Sequence, residues 1–253
     1  MISKNDIKSI KALAVKKLRQ EKGLFVAEGH KLVDELLEVF DCTLIVATEK
    51  WSNRNKKISS ATRTEIVSET VLKQTSLMQN PQDVLAVFKI PEYNASINIA
   101  SKELVLALDN IQDPGNLGTI VRIADWFGIK NIFCSIGTAD IYNPKAVQAT
   151  MGAIARVKLH YTDLTKELAS LKGNIPIYGT LLNGKDIYKS ELTENGIIIM
   201  GNEGNGISKE VCSLVTDPLY IPSYPADAPT SESLNVAVAT AITCAEFRRR
   251  SYR

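Results

Sequence analysis

A chain of 253 residues, 45% hydrophobic and 23% charged, has room for one large folded domain or two modest ones, and its composition excludes disorder and fibrous repeats. A formal net charge of +2 excludes a crude polycation but not local basic patches. No apolar run reaches the roughly 18 residues that a membrane helix needs, and residues 1–22 lack the continuous apolar core of a signal peptide, so the sequence predicts a cytoplasmic protein with no membrane partner.

In chain order, Ile7, Ile10, Ala14 and Leu18 fall at helical spacing, with lysines on the opposite side and Gly23 placed to stop the helix. A strand at 24–27 leads into a helical pattern over 30–40. Strands follow at 42–48, 64–67 and 84–90, with a helix over 71–77 between the last two. This alternation predicts a small α/β unit. The period lapses in the polar stretch 91–102, read as a linker, which puts a first domain at 1–95 and a second at 101–253.

The second half repeats strand and helix: strands at 104–108, 132–135, 157–161, 177–182, 197–200 and 219–221, helices at 117–127, 146–154, 164–171 and 234–250, and a further helix beginning near Lys209. Continuous apolar strands such as Ile197-Ile198-Ile199-Met200 imply burial on both faces, hence an α/β fold with a mostly parallel sheet and helices on both faces. Ligands of such sheets sit beyond the carboxyl ends of the strands, which directs attention to the residues after Leu108, Leu182, Met200 and Ile221.

Basic residues cluster as Lys4, Lys8, Lys11, Lys16, Lys17, Arg19 and Lys22, then Arg54, Lys56, Lys57 and Arg63, then Arg248, Arg249, Arg250 and Arg253. Each cluster is compatible with a solvated helix face, and the first two together suit phosphate contacts. The cysteines Cys42, Cys134, Cys212 and Cys244 lie apart in apolar stretches with no Cys-x-x-Cys pair, which reads as buried free thiols and predicts no metal site.

Three loops carry the polar residues of interest. The first runs Leu108-Asp109-Asn110-Ile111-Gln112-Asp113-Pro114-Gly115-Asn116-Leu117-Gly118, with Arg122 in the helix that follows. Asn116 stands where a helix N-cap would, and Arg122 shares a face with Asp125 and Trp126, so a cap and a surface ion pair are the purely structural readings. The second loop is Met200-Gly201-Asn202-Glu203-Gly204-Asn205-Gly206-Ile207-Ser208, which matches neither dinucleotide nor phosphate-loop spacing. Glu203 in its middle would repel phosphates and leaves room for a positively charged ligand. The third runs from Ile221-Pro222 to Ser233-Leu234-Asn235-Val236, where Ser231 or Ser233 could be a helix N-cap.

These three motifs, in this order and each after a strand, make the chain from Glu103 onward similar to the SpoU, or TrmH, class of RNA ribose methyltransferases in the SPOUT superfamily. The stretch Lys-Lys-Leu-Arg-Gln-Glu-Lys-Gly-Leu-Phe-Val-Ala-Glu-Gly also resembles the ribosomal-protein-like RNA-binding domain attached to some members. The third loop is longer and richer in proline than is usual in the class, and Ala237 stands where Ser is common. The resemblance implies a deep trefoil knot, a homodimer whose subunits share active-site residues, and S-adenosylmethionine held by the backbone around Thr180, Leu181, Leu182, Gly201 and Ile221 with Leu234 beside the adenosyl group. It implies methylation of a ribose 2′-hydroxyl with Arg122, Asn116, Glu203, Ser233 and Asn235 as the catalytic set. Large-subunit rRNA is the expected substrate over tRNA, because the first domain resembles those on rRNA enzymes. The alternative of a different class is a knotted RNA-binding protein without methyl transfer.

Overall fold

The computed structural model describes residues 2–54, 62–171, 174–225 and 233–251. The chain divides into two compact units, Met1–Glu92 with Asp140–Ala155, and Tyr93–Ala139 with Arg156–Arg253.

The first unit is built on a four-stranded sheet in the order β1 (Leu24–Glu28), β4 (Val84–Lys89), β2 (Cys42–Ala47), β3 (Arg63–Ile66), antiparallel except for the β2/β3 pair. Alternate strand residues such as Val26, Leu44, Val46, Leu85 and Val87 meet Ile10 of α1 (Lys4–Ala12) and Leu72 of α5 (Glu69–Thr75). The helix expected through Leu18 is two helices, α1 and α2 (Lys16–Lys22), and Gly23 does end the second in a left-handed conformation. Helix α3 (His30–Leu36) follows β1, and a helix without a sequence counterpart, α4 (Glu49–Arg54), follows β2. Asp140–Ala155 joins this unit through buried Arg19, whose Nη2 pairs with Asp140 at 2.6 Å, and through Gln148 on α7 (Pro144–Thr150), which donates to the Glu28 carbonyl at 2.6 Å. Glu28 itself is buried, its carboxylate accepting from Ser76 Oγ and the Leu77 N–H; desolvation nevertheless raises its pKa above the ordinary carboxylate value.

The second unit holds six parallel strands in the order β10 (Asp217–Tyr220), β8 (Ile177–Asp186), β9 (Gly196–Met200), β5 (Leu104–Leu108), β6 (Asn131–Ser135), β7 (Lys158–Thr162). Every residue of β5 and β9 is buried, as their unbroken apolar sequences require. Val105, Ala107, Ile197 and Ile199 pack with Leu164 and Leu168 of α8 (Leu164–Ala169) and Val211 of α9 (Lys209–Cys212) on one face. Burial of each isoleucine there contributes roughly 2 kcal/mol. Helices α6 (Pro114–Trp126) and α10 (Val236–Ser251) pack on each other, and Arg248 Nε donates to the Phe127 carbonyl at 2.8 Å.

The strand order reverses between β5 and β9: the chain proceeds from β5 to β6 and β7 on one side and fills the other with β9, β8 and β10. The crevice of a doubly wound sheet opens at such a reversal, beyond the strands' carboxyl ends.

Several charged residues of the sequence clusters have intramolecular partners. Arg63 pairs with Asp6 at 2.8 Å and Glu65 at 2.9 Å, and Arg249 with Glu246 at 2.8 Å. Lys56, Lys57, Arg253 and the Arg250 side chain lie outside the described residues. Cys134 and Cys244 are buried, Cys42 and Cys212 half-buried, and desolvation pushes the Cys42 thiol up to about 11 and the Cys244 thiol to about 12. Among the described residues, no cluster of His, Cys, Asp or Glu is placed to hold a metal ion, and no helix is long and apolar enough to cross a membrane.

Candidate active site

Two loops leave β5 and β9 side by side at the reversal and are joined by polar groups. Asn110 turns the chain after β5 at φ 57°, a left-handed conformation that asparagine tolerates. Asp109, only 2% exposed, accepts from the Ser208 N–H at 2.8 Å and from Asn110 Nδ2 at 3.0 Å. The Asn110 N–H donates to Ser135 Oγ at the end of β6 (2.9 Å), and the Asn110 carbonyl accepts from Asn202 Nδ2 at 2.7 Å. After β9, Asn202 and Gly206 exchange two backbone hydrogen bonds of 2.9 Å and close a tight turn with Glu203 in it. Asn202 Oδ1 accepts the Gly204 and Asn205 N–H groups at 2.9 and 3.0 Å inside that turn. Gly201 has no substitute here, because a Cβ would overlap the Gly206 carbonyl carbon and the Ile207 nitrogen.

Helix α6 begins at Pro114, and its N-cap is Asp113, which accepts the Asn116 N–H at 2.8 Å. The sequence expectation of Asn116 as the cap is therefore corrected. Asp-Pro is the better signal, since proline at the first helical position has no N–H to satisfy and a carboxylate suits the positive end of the helix dipole.

The shift frees the Asn116 side chain. Its Nδ2 donates to Glu203 Oε1 at 2.9 Å, and its Oδ1 accepts from Asn235 Nδ2 at 3.0 Å. Asn235 Oδ1 accepts the Ala237 and Val238 N–H groups at 3.0 and 3.3 Å, so Asn235 caps α10. Ser233 is exposed two residues before this cap, and Ser231 lies outside the described residues. The three side chains form one line, Glu203, Asn116, Asn235, from the turn after β9, the first turn of α6 and the cap of α10. Its polarity is forced: an ionised carboxylate only accepts, so the Asn116 amide must present NH₂ to Glu203 and oxygen to Asn235.

Arg122 stands apart from that line. Six residues beyond Asn116 on a helix of 3.6 residues per turn, it lies about a third of a turn around the α6 axis. It is exposed and has no hydrogen-bond or ion-pair partner among the described residues. The surface pair with Asp125 is not formed, because Arg156 takes that carboxylate with bonds of 3.0 and 2.9 Å, and Trp126 is 83% exposed.

At the other side of β9 the pairing of β8 with β10 jumps. Gly179 faces Pro218 and Lys185 faces Leu219, so residues 180–184 stand opposite no β10 residue, and the β8/β9 ladder also ends at Gly179. Thr180 Oγ1 donates to the Ile199 carbonyl at 3.1 Å, Leu181 packs partly against the core, and Leu182 is exposed. Ile221 follows β10 directly, and Leu234 is half-exposed. Backbone released from the ladder, a glycine corner at Gly201 and uncovered leucines suit a flat, partly apolar ligand read by main-chain groups, which fits an adenosyl moiety.

Asn116, Glu203 and Asn235 are thus brought together and Gly201 adjoins the Glu203 turn, whereas neither Arg122 nor Ser233 hydrogen-bonds to them among the described residues. Sequence reasoning passed over Asp109, Asn110 and Asn202 as carriers of this geometry. The one local signal available was the Asp109-Asn110 pair that follows the apolar strand, since asparagine is a residue that tolerates the left-handed turn found there.

Comparison with known proteins places these features in context. The SpoU rRNA Methylase family matches residues 103–245, and the MRM3-like substrate binding domain matches residues 4–86. The 23S rRNA (guanosine(2553)-2'-O)-methyltransferase RlmP of Bacillus subtilis is 31% identical over 96% of this chain and 95% of its own length. RlmB of Neisseria meningitidis, a 23S rRNA (guanosine-2'-O-)-methyltransferase, is 32% identical over 60% of this chain and 61% of its own. Among solved structures, a TrmH-family protein from Porphyromonas gingivalis superposes with a TM-score of 0.90 at 40% identity, covering 99% of both chains. The AdoMet-bound rRNA methyltransferase from Sinorhizobium meliloti gives 0.82 at 27% identity, covering 99% of this chain and 97% of its own.

Proposed function

The chain belongs to the SpoU rRNA methylase family and is an S-adenosylmethionine-dependent RNA methyltransferase, and from that premise we propose that it methylates a ribose 2′-hydroxyl of large-subunit rRNA. The observation that carries this reading is the hydrogen-bonded line of Glu203, Asn116 and Asn235 across the three motif loops.

Residues 180–182, Gly201, Ile221 and Leu234 would hold S-adenosylmethionine, which would supply an electrophilic methyl group on a sulfonium that is already a good leaving group, a chemistry that calls for no metal. What the chain must add is a 2′-oxygen made nucleophilic and held in line. Asn116 and Asn235 orient the ribose, with Glu203 fixing the Asn116 amide, and Ser233, exposed two residues before Asn235, completes the proposed catalytic set. A guanidinium is not a proton acceptor, so Arg122 grips an RNA phosphate through its fork and stabilises the emerging alkoxide, while the proton passes to that phosphate or to water.

Arg122 has no partner among the described residues of its own chain and lies off the line around α6, which supports a homodimer in which Arg122 of one copy serves the site of the other. Residues 1–95 bind the RNA, residues 101–253 carry the chemistry with the C-terminal segment threaded as a trefoil knot, and the protein works in the cytoplasm on its ribosomal substrate.

Mapping 2′-O-methylated positions in total RNA from cells with and without the gene, together with calorimetric titration of S-adenosylmethionine, tests the reading. One large-subunit rRNA site should disappear with the gene. Saturating cofactor without binding, or no lost methylation in any RNA, would instead favour a knotted RNA-binding protein without methyl transfer.

A further inference from the structure

The second loop is attached to the first at both ends. On its near side Asn202 Nδ2 reaches the Asn110 carbonyl at 2.7 Å, and on its far side the Ser208 N–H reaches the buried Asp109 carboxylate at 2.8 Å. Asp109 and Asn110 belong to the stretch that carries Asn116 a few residues later. Both partners of the Glu203–Asn116 hydrogen bond are therefore referenced to one piece of backbone, which is itself tied to Ser135.

We propose that Asp109 and Asn202 are positioning residues that hold the Glu203 turn in register with Asn116, and through it Asn235. This rests on the reading of that line as part of the methyl-transfer site. Asn202 separates two tasks. Its Oδ1 caps the turn internally, and the turn is already closed by the paired backbone bonds with Gly206. Forming the turn does not need Nδ2; attaching the turn to Asn110 does. Asn202→Asp keeps the shape and the capping oxygen but sets a carboxylate oxygen against the Asn110 carbonyl, so the turn persists and its attachment is lost. Asp109→Asn acts at the other end, since an amide oxygen can keep only one of the two bonds that the carboxylate accepts.

The test compares the full chain with Asn202→Asp, Glu203→Ala and the double variant. Turnover is read with radiolabelled S-adenosylmethionine on an unmodified 23S rRNA transcript, and the side-chain amide signals of Asn116 and Asn235 are read by NMR. Asn202→Asp should lower kcat about 100-fold, the scale of a small misplacement of a reacting group. On the Glu203→Ala background it should add nothing, because both changes act through one contact, whereas a general loosening multiplies the two losses. Multiplied losses overturn the proposal. The Asn116 amide signal should move in Asn202→Asp, and to a lesser extent in Asp109→Asn, toward its position in Glu203→Ala. An unmoved signal overturns the proposal whatever the activity. A wild-type chain inactive on the transcript, with the signals moving as expected, counts against the rRNA reading and supports the positioning.

Discussion

Arg122 separates geometry from charge at the level of a single side chain. Lysine at that position would keep the positive charge, the helix and the exposure but lose the planar fork that grips two phosphate oxygens at once. Arg122→Lys should lower kcat by about 100-fold or more, the scale seen when one preorganised donor to a developing oxyanion is removed. The affinity for S-adenosylmethionine, whose proposed cradle does not include Arg122, should be unchanged by calorimetry. A variant that turns over at the wild-type rate would remove Arg122 from the chemistry. Asn116 and Glu203 were legible because each stands in a motif that the chain shares with the SpoU class. Asp109 and Asn202 were not, because their bonds to Ser208 and Asn110 join residues 99 and 92 positions apart, and no local pattern encodes such a pairing.

Among the elements, the first turn of α6 joins stability to the site. Asp113 caps it by accepting the N–H of Asn116, the same residue whose side chain bonds Glu203 and Asn235. Asp113→Ala should cost about 1 kcal/mol in urea unfolding and Asp113→Ser only a fraction of that, since serine caps as well as aspartate. Because fraying of that turn also loosens Asn116, the alanine variant should lose turnover while the serine variant retains most of it. Equal activities in the two would separate the cap from the site. Strands of this molecule were read from sequence nearly to their ends, since apolar runs and β-branched residues mark them. Helices were read less well where a break depends on backbone conformation. The helix expected over 146–154 stops at Thr150, because Met151 and Gly152 take left-handed φ values of 51° and 96° and a short 3-10 turn follows. Strand β8 runs past its expected end because its pairing with β10 resumes at Lys185 after the jump, which only the fold determines.

For the molecule as a whole, the parallel sheet and the placing of the three polar loops at its carboxyl end followed from buried strands alone, whereas the grouping of 140–155 with the first unit had no signature, resting as it does on contacts such as Arg19 with Asp140. The proposed dimer is the assembly-level consequence of the role proposed for Arg122. If Arg122 acts within its own chain, any chain lacking either Arg122 or Asn116 has a dead site in every assembly. If it acts across a two-fold axis, a mixed dimer of Arg122→Ala and Asn116→Ala contains one site with both defects and one with neither. Equal co-expression then makes half of the dimers mixed and half of their sites intact, so methylation should return to about a quarter of the wild-type level, although each variant alone is inactive. Purifying the mixed dimer through two different tags raises the expected value to about half. Inactivity of the purified mixed dimer would place Arg122 in the service of its own subunit, and a chain that sediments as a monomer at the assay concentration would remove the partner altogether.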